Sequence, residues 1–160
     1  MNRIEVSVEE VPLPAWTGKL AAYGLKVLDR LHKDNWDLAI RLCDNRYIQQ
    51  LNARYRNRDE PTDILSFALG ETLEEGEGAR YLPGDILISL DALGENARYF
   101  QVSEDEELRR LLIHGILHLN GMDHPDEPAD GAADRSMLRL QEDLLSALGG
   151  ERILPPPEVP

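Results

Sequence analysis

Three histidines lie close together in the sequence and could bind a metal ion: His114, His118 and His124, which fall within eleven residues. Side chains four residues apart on a helix project from the same face, so His114 and His118 would point the same way. Gly121 can end that helix and turn the chain so that His124 returns toward this face. Three protein ligands on zinc leave a fourth position for water, as in catalytic zinc sites. We therefore predict one Zn²⁺ held by three histidines and one water molecule.

The residue after the first histidine separates this motif from the zinc peptidases. The spacing His-x3-His-x5-His, with a glycine three residues after the second histidine, is also that of the metzincin peptidases. Those enzymes carry a general-base glutamate directly after the first histidine, where this chain has Gly115. Glycine cannot accept a proton, and its small size favours either close packing or room for a ligand. A peptidase of this mechanism is therefore poorly supported.

No general base is evident among the nearby acidic residues. Asp123 adjoins His124, and we expect it to cap the turn or to orient a histidine rather than to take a proton. Asp63 and Asp85 are likewise predicted to be structural acids. The sequence therefore leaves the identity of the base open.

Residues 41–58 are rich in arginine, with Asp44 as their one acidic residue: Arg41, Arg46, Arg54, Arg56 and Arg58. The whole chain has 30 acidic and 17 basic residues and a formal net charge of −13, which argues against extended nonspecific binding to a polyanion. A local basic patch on an acidic chain favours a confined anionic ligand. A solvated helix face would explain the same residues equally well.

Hydrophobic periodicity predicts the elements that must position these residues. Strands are predicted at 3–9, 36–43 and 84–90, with a short apolar run at 64–69 and an exposed loop rich in Gly and Glu at 70–83; helices are predicted at 15–32, 45–57, 91–101 and 130–148. Asp44 and Ser103 are predicted N-caps, Ser103 for the helix that carries His114. That helix is apolar almost all round and should be buried. Tyr47, Leu51 and Tyr55 share a helix face and are expected to pack in the core.

At 160 residues, with 42% hydrophobic and 29% charged residues, the chain is predicted to form a single domain over 1–150. The segment 151–160 ends in Pro-Pro-Pro-Glu-Val-Pro and is predicted to be a disordered Pro-rich tail. No stretch resembles a membrane span or a secretory signal, so we expect a cytoplasmic protein without membrane contact. The single cysteine, Cys43, agrees with a reducing compartment and is expected to be a buried apolar residue.

Three segments of the chain resemble the YbeY family of rRNA-maturation endoribonucleases. They are residues 52–67, Asn-Ala-Arg-Tyr-Arg-Asn-Arg-Asp-Glu-Pro-Thr-Asp-Ile-Leu-Ser-Phe; residues 84–89, Gly-Asp-Ile-Leu-Ile-Ser; and the histidine run 114–124. Their order and spacing span most of the domain. The chain departs from the family's pattern at Arg58, where Lys is frequent, and has Asn120 and Met122 at variable positions, none of which is a metal ligand.

The resemblance implies a single-domain α+β fold, with a small mixed β-sheet of about four strands, about five helices, and the metal site on a buried helix packed against the sheet. It also implies metal ligation by His114, His118 and His124. These implications agree with the zinc site that the histidine spacing alone predicts.

The resemblance also gives the arginine-rich stretch a role as one wall of the cleft. Arg56 would then be catalytic together with His114, and would contact the phosphate, because the planar guanidinium can bind two phosphate oxygens. Arg54 and Arg58 are the further candidates for substrate binding.

The implied function is that of a zinc-dependent endoribonuclease that cuts single-stranded RNA in rRNA maturation and ribosome quality control. Ribosomal RNA or another single-stranded RNA is the expected partner, and ribosomal proteins or a ribosome-associated GTPase could add affinity that the acidic surface lacks. Two other interpretations stay open: a metallohydrolase of peptides or small molecules, and a ribosome-associated binding protein whose zinc is structural. Metal removal would distinguish the binding-protein interpretation from the others, because a domain unfolds when it loses a structural zinc.

Overall fold

Four strands form one mixed sheet in the computed structural model, which describes residues 1–76, 78–122 and 132–156. The strands are β1 (Arg3–Val8), β2 (Asp37–Cys43), β3 (Ile64–Glu75) and β4 (Gly78–Ser89). They lie in the order β1-β2-β4-β3, in which β1, β2 and β4 run parallel and β3 runs antiparallel to β4. The helices of the described residues are α1 (Thr17–Arg30), α2 (Asn45–Arg56), α3 (Leu90–Phe100), α4 (Glu104–Leu117) and α5 (Ala132–Ala147). None of them is long and apolar enough to cross a membrane. The predicted α+β architecture is confirmed.

Side-chain caps fix where the helices of the site begin. Asp44 accepts a hydrogen bond from the Tyr47 amide at 2.8 Å at the start of α2. Ser103 accepts one from the Glu106 amide at 3.0 Å at the start of α4, and four acidic residues in the first turn suit the positive end of the helix dipole. Both predicted N-caps are therefore confirmed.

The sheet is covered on both faces, and a separate cluster of apolar side chains lies on each. The larger cluster joins the sheet to α1, α3, α4 and α5, and the smaller lies between the sheet and α2. β4 contributes Ile86 and Ile88 to the larger cluster and Leu87 to the smaller. This strand is apolar at consecutive positions because both of its faces are buried.

The predicted loop at 70–83 is wrong, because the described residues of this range belong to a β-hairpin. β3 continues to Glu75 and pairs with the first half of β4, with Thr72 opposite Tyr81. The far half of the hairpin is held by contacts distant in sequence: the Arg80 guanidinium donates to the Met1 carbonyl at 2.7 Å, and the Tyr81 ring packs on Trp36 with centroids 5.3 Å apart. Tertiary contacts thus override a local composition that favours a loop.

The expected burial of Tyr55 is also wrong. Tyr47 and Leu51 pack against the smaller cluster as predicted, whereas Tyr55 is 60% exposed in the last turn of α2. Its ring and that of Phe67 on β3 pack at a steep angle of 70°, with centroids 5.6 Å apart. Because β3 is the last strand of the sheet, this turn of α2 has only the sheet edge to pack on.

Part of the segment predicted to be a disordered tail packs on the domain. Ile153 is fully buried, and the amides of Ile153 and Leu154 donate to the Asp105 carboxylate at 2.7 and 2.9 Å. The same carboxylate accepts a hydrogen bond from Arg109 at 2.9 Å. The docked chain therefore extends to Leu154, because a buried carboxylate on α4 supplies acceptors for its backbone.

Helix α4 comes very close to the sheet at Gly115. A Cβ atom added there would lie 2.9 Å from Cδ1 of Ile64 and 3.0 Å from Cδ1 of Ile86. These distances are shorter than ordinary carbon–carbon contacts. Of the two expectations for Gly115, close packing is therefore the one observed.

We expect the substitution Gly115→Ala to destabilise the protein. Alanine favours the helix by about 1 kcal/mol over glycine, but overpacking costs about 1–3 kcal/mol. We therefore predict a net loss of up to about 2 kcal/mol in the free energy of unfolding, measured by urea titration. Gly18→Ala in α1 is the control, because nothing lies within 4 Å of the added Cβ. Equal stabilisation by both substitutions would contradict the packing argument.

Cys43 is buried in the smaller cluster, and its thiol donates to the Ile88 carbonyl at 3.6 Å. Burial raises the pKa of this thiol to about 12, so the reactive thiolate is scarce at neutral pH. We predict that a disulfide reagent such as DTNB leaves the native protein unmodified at pH 8 and labels one thiol after denaturation. Rapid labelling of the native protein would show that the thiol is accessible.

Candidate active site

The side chains of His114 and His118 meet at the end of α4. The helix passes at His118 into a π-helical turn, His118–Met122, and the Nε2 atoms of the two histidines lie 2.7 Å apart. Their rings are nearly edge to face, with centroids 4.3 Å apart. The shared helix face expected from the four-residue spacing is therefore observed.

The turn that follows contains Gly121 with φ of 78°, a left-handed conformation that glycine adopts without strain. The helical path ends there, as predicted. His124 and Asp123 lie outside the described residues. Among the described residues, no group of three or more His, Cys, Asp or Glu side chains could hold a metal ion.

Gln141 on α5 contacts Nδ1 of His114, the ring nitrogen that does not face His118. Its side-chain oxygen Oε1 lies 2.7 Å from Nδ1 of His114, and Gln141 is buried. Because an amide oxygen only accepts hydrogen bonds, Nδ1 carries the hydrogen and Nε2 of His114 presents a lone pair. Nε2 of His118 lies 2.7 Å from this nitrogen, and two imidazole nitrogens so placed can bind one cation. The pair thus fits two of the three expected zinc ligands.

Arg56 is held at the last position of α2 by the start of β3. One of its guanidinium nitrogens donates to the Ser66 carbonyl at 2.8 Å, and the guanidinium carbon lies 5.9 Å from the centre of the Phe67 ring. The side chain is otherwise exposed. Its position is therefore fixed by two contacts, and other donors of the guanidinium stay available to a ligand.

Arg56 and the two histidines line one cleft of about 480 Å³. Arg56, Ser66 and Phe67 contribute from α2 and β3, whereas His114 and His118 contribute from α4 and the following turn. Residues far apart in sequence thus enclose one space with a cationic group and two imidazoles. This arrangement can bind an anion and hold it beside a metal.

The other arginines predicted to bind substrate do not line the cleft. Arg54 and Arg58 are exposed, and Arg54 lies over the ring of its neighbour Tyr55, 5.7 Å from the centroid. Asp85 does not line this cleft either. Arg56 is therefore the member of the arginine-rich stretch that meets the histidines.

Asp63 lines the same cleft and belongs to a half-buried polar network. Asn96 donates to Asp63 at 2.9 Å and to Glu107 at 3.5 Å. Burial raises the pKa of the Glu107 carboxyl, an effect that Arg110 opposes. The Asp63 carbonyl also accepts a hydrogen bond from the Ser89 amide at 3.0 Å. These bonds agree with the predicted structural role of Asp63 and add a position in the cleft lining that the sequence had not indicated.

Gln141 is a further site residue that the sequence analysis did not predict. A weak signal existed, because Gln141 is a polar residue spaced four from Met137 and three from Leu144 on the buried face of α5. A polar side chain on an apolar stripe usually has a partner. The sequence does not say that the partner is His114, which lies 27 residues away.

The chain is similar to known proteins along most of its length. The family model described as endoribonuclease YbeY matches residues 5–149. A Treponema denticola protein named endoribonuclease YbeY is 50% identical over 121 residues, which cover 75% of this chain and 76% of that protein. A Treponema pallidum protein of the same name is 44% identical over 147 residues, which cover 91% of this chain and 89% of that protein.

A solved structure is also similar. The solution structure of a Thermotoga maritima protein superimposes with a TM-score of 0.58 at 27% sequence identity. The match covers 94% of this chain and 93% of that protein. The similarity in fold therefore extends over nearly the whole chain.

Proposed function

Because the chain belongs to the YbeY family of rRNA-maturation endoribonucleases, we propose that it cuts single-stranded RNA in this cleft with the help of one zinc ion. We also propose that this activity contributes to ribosome quality control. The observation that carries this proposal is the shared cleft, in which Arg56 faces the same space as His114 and His118. A phosphate in that space would meet a fixed guanidinium and the imidazole pair together.

The family is metal-dependent, and the donors in the cleft suit zinc. We assign His114, His118 and His124 as its ligands, with water in the fourth position. Gln141 would keep the lone pair of His114 directed at the ion by accepting the Nδ1 hydrogen. When bound, zinc supplies Lewis-acid stabilisation of negative charge on a phosphoryl oxygen.

Arg56 would bind and orient the phosphate. Its bond to the Ser66 carbonyl and its contact with Phe67 reduce the freedom that the side chain loses on binding. Its remaining N–H groups can bind phosphate oxygens, and the positive charge stabilises the additional negative charge of the transition state. Arg54 and Arg58, exposed on the same segment, would attract neighbouring phosphates.

The packing at Gly115 disfavours the peptidase alternative. A metzincin glutamate would stand at this position, where even a Cβ atom lies 2.9 Å from Ile64. The isoleucine side chains or the helix would have to shift to admit a glutamate. The structural-zinc alternative makes a different prediction, since metal removal would then unfold the domain.

We predict that His114→Ala and Arg56→Ala abolish or strongly reduce cleavage of single-stranded RNA. Loss of a charged hydrogen bond costs about 1.5–3 kcal/mol, so Arg56→Ala should lower kcat/KM by about 10- to 100-fold. The measurement is cleavage of a labelled oligonucleotide by zinc-loaded protein. Arg46→Ala is the matched control, because Arg46 is an exposed arginine on the same helix outside the cleft.

Two outcomes would contradict the nuclease proposal. Cleavage that survives both substitutions would come from a contaminating nuclease. Zinc-loaded protein that cuts no RNA, structured or single-stranded, would rule out the activity. Circular dichroism with a chelator tests the structural-zinc alternative, and we expect cleavage to stop while the helical signal persists.

We also predict that Gln141→Leu weakens zinc binding by about 10- to 100-fold, because the Nδ1 hydrogen of His114 loses its acceptor. Gln141→Glu keeps an acceptor and should restore most of the affinity. Competition with a coloured chelator measures both. Gln50→Leu, at an exposed position on α2, is the control. Unchanged affinity in Gln141→Leu would mean that Gln141 serves packing alone.

A further inference from the structure

A second cleft adjoins the first on the other side of His114. It also has a volume of about 480 Å³, within the usual range for ligand pockets. The two clefts share Asp63, Ile64 and His114 in their linings. A chain-like ligand bound at Arg56 can therefore reach the second cleft without leaving the surface.

Large apolar side chains stand exposed at the second cleft. Phe100, the last residue of α3, is 58% exposed, and Leu138 on α5 is 49% exposed. Val102 and Leu111 continue the apolar lining. The neighbouring Tyr99 ring meets Phe100 edge to face, with centroids 5.0 Å apart, and so favours one ring orientation. An exposed aromatic ring beside a cleft is a suitable platform for a planar ligand.

The charges of the second cleft are unfavourable for a phosphate. Arg110 is its one cation among the described lining residues, and this guanidinium is already bound by Glu142 at 3.0 Å and Glu106 at 3.3 Å. Glu107 lies 3.7 Å away, and Asp63 adds another carboxylate to the lining. Acidic groups therefore outnumber the cation, in contrast to the first cleft with Arg56.

We propose that the second cleft binds one nucleobase of the RNA substrate, stacked on Phe100, while Arg56 holds the adjoining phosphate. This inference rests on the proposed nuclease function and extends it. A base is flat, uncharged and largely apolar on its faces, which suits the ring of Phe100 and the side chain of Leu138. The contrast in charge between the clefts assigns phosphate to the first and base to the second.

The acidic groups also predict which bases bind. Carboxylates accept hydrogen bonds, so they favour the amino groups of cytosine, adenine and guanine. Uracil presents a carbonyl oxygen where cytosine has its amino group, so at that position it offers the carboxylates of the cleft no donor. The subsite should therefore discriminate against uracil at one position of the substrate.

The first test removes the stacking ring or the base. We expect Phe100→Ala to raise KM by about 5- to 150-fold with little change in kcat. This range corresponds to the binding free energy that is lost when one base no longer stacks, about 1–3 kcal/mol. Phe100→Trp should restore KM. An oligonucleotide with an abasic site, placed in turn at each nucleotide beside the cut, should at one position be cleaved equally by wild type and Phe100→Ala. Leu13→Ala, an exposed apolar position outside both clefts, is the control.

Binding measured by fluorescence anisotropy in the presence of a chelator, with cleavage switched off, separates this proposal from the nuclease function. Affinity that depends on Phe100 and on the base supports the subsite even if no cleavage is found. Normal cleavage with KM and affinity insensitive to Phe100→Ala at every base position overturns the subsite and leaves the nuclease function intact.

The second test concerns base identity. Wild type should prefer cytosine to uracil at the same position by about 5- to 150-fold in kcat/KM. Glu142→Gln should reduce this preference, because a glutamine amide can donate to uracil or accept from cytosine. Equal cleavage of the two substrates by wild type would refute the assignment of the carboxylates to the amino edge of the base.

Discussion

The close approach of α4 to the sheet at Gly115 is the contact on which the site depends. Ile64 and Ile86 touch the helix where a side chain would otherwise stand. Because a helix is stiff, this contact also fixes His114 one residue earlier and His118 one turn later. Ile64 lines both clefts as well, so the contact that packs the helix also shapes the space in front of the histidines. A larger residue at 115 would require the side chains of Ile64 and Ile86 or the helix itself to shift.

Elements whose ends are set by local hydrogen bonds could be predicted from the sequence. Asp44 and Ser103 mark the starts of α2 and α4 because capping involves groups only three residues apart. The hairpin from 70 to 83 could not be predicted in this way. Its stability depends on the hydrogen bond from Arg80 to Met1 and on the packing of Tyr81 against Trp36. A local sequence pattern cannot predict contacts between residues more than forty positions apart.

The same distinction applies to the candidate site. The His114–His118 pair follows from helix periodicity, and Arg56 follows from the family's motif, so both could be named beforehand. Gln141 could not, because its role arises only when α5 packs beside α4. The role of β3 in holding Arg56 was equally hidden, since the acceptor is the backbone of Ser66 and carries no residue preference. Residues that hold others in place are harder to predict than those that do chemistry.

The distribution of ion pairs explains how a chain with a net charge of −13 can attract RNA at one place. Arg109 and Arg110 are bound by carboxylates, to Asp105 and Glu142, so their charges are largely cancelled. Arg56 instead donates to a neutral carbonyl, and among the described residues it has no carboxylate within 4.0 Å. Its charge is thus available to a phosphate. A duplex would bring two dense rows of phosphates toward an acidic protein, whereas a single strand can place one phosphate in the cleft, which agrees with the proposed preference for single-stranded RNA.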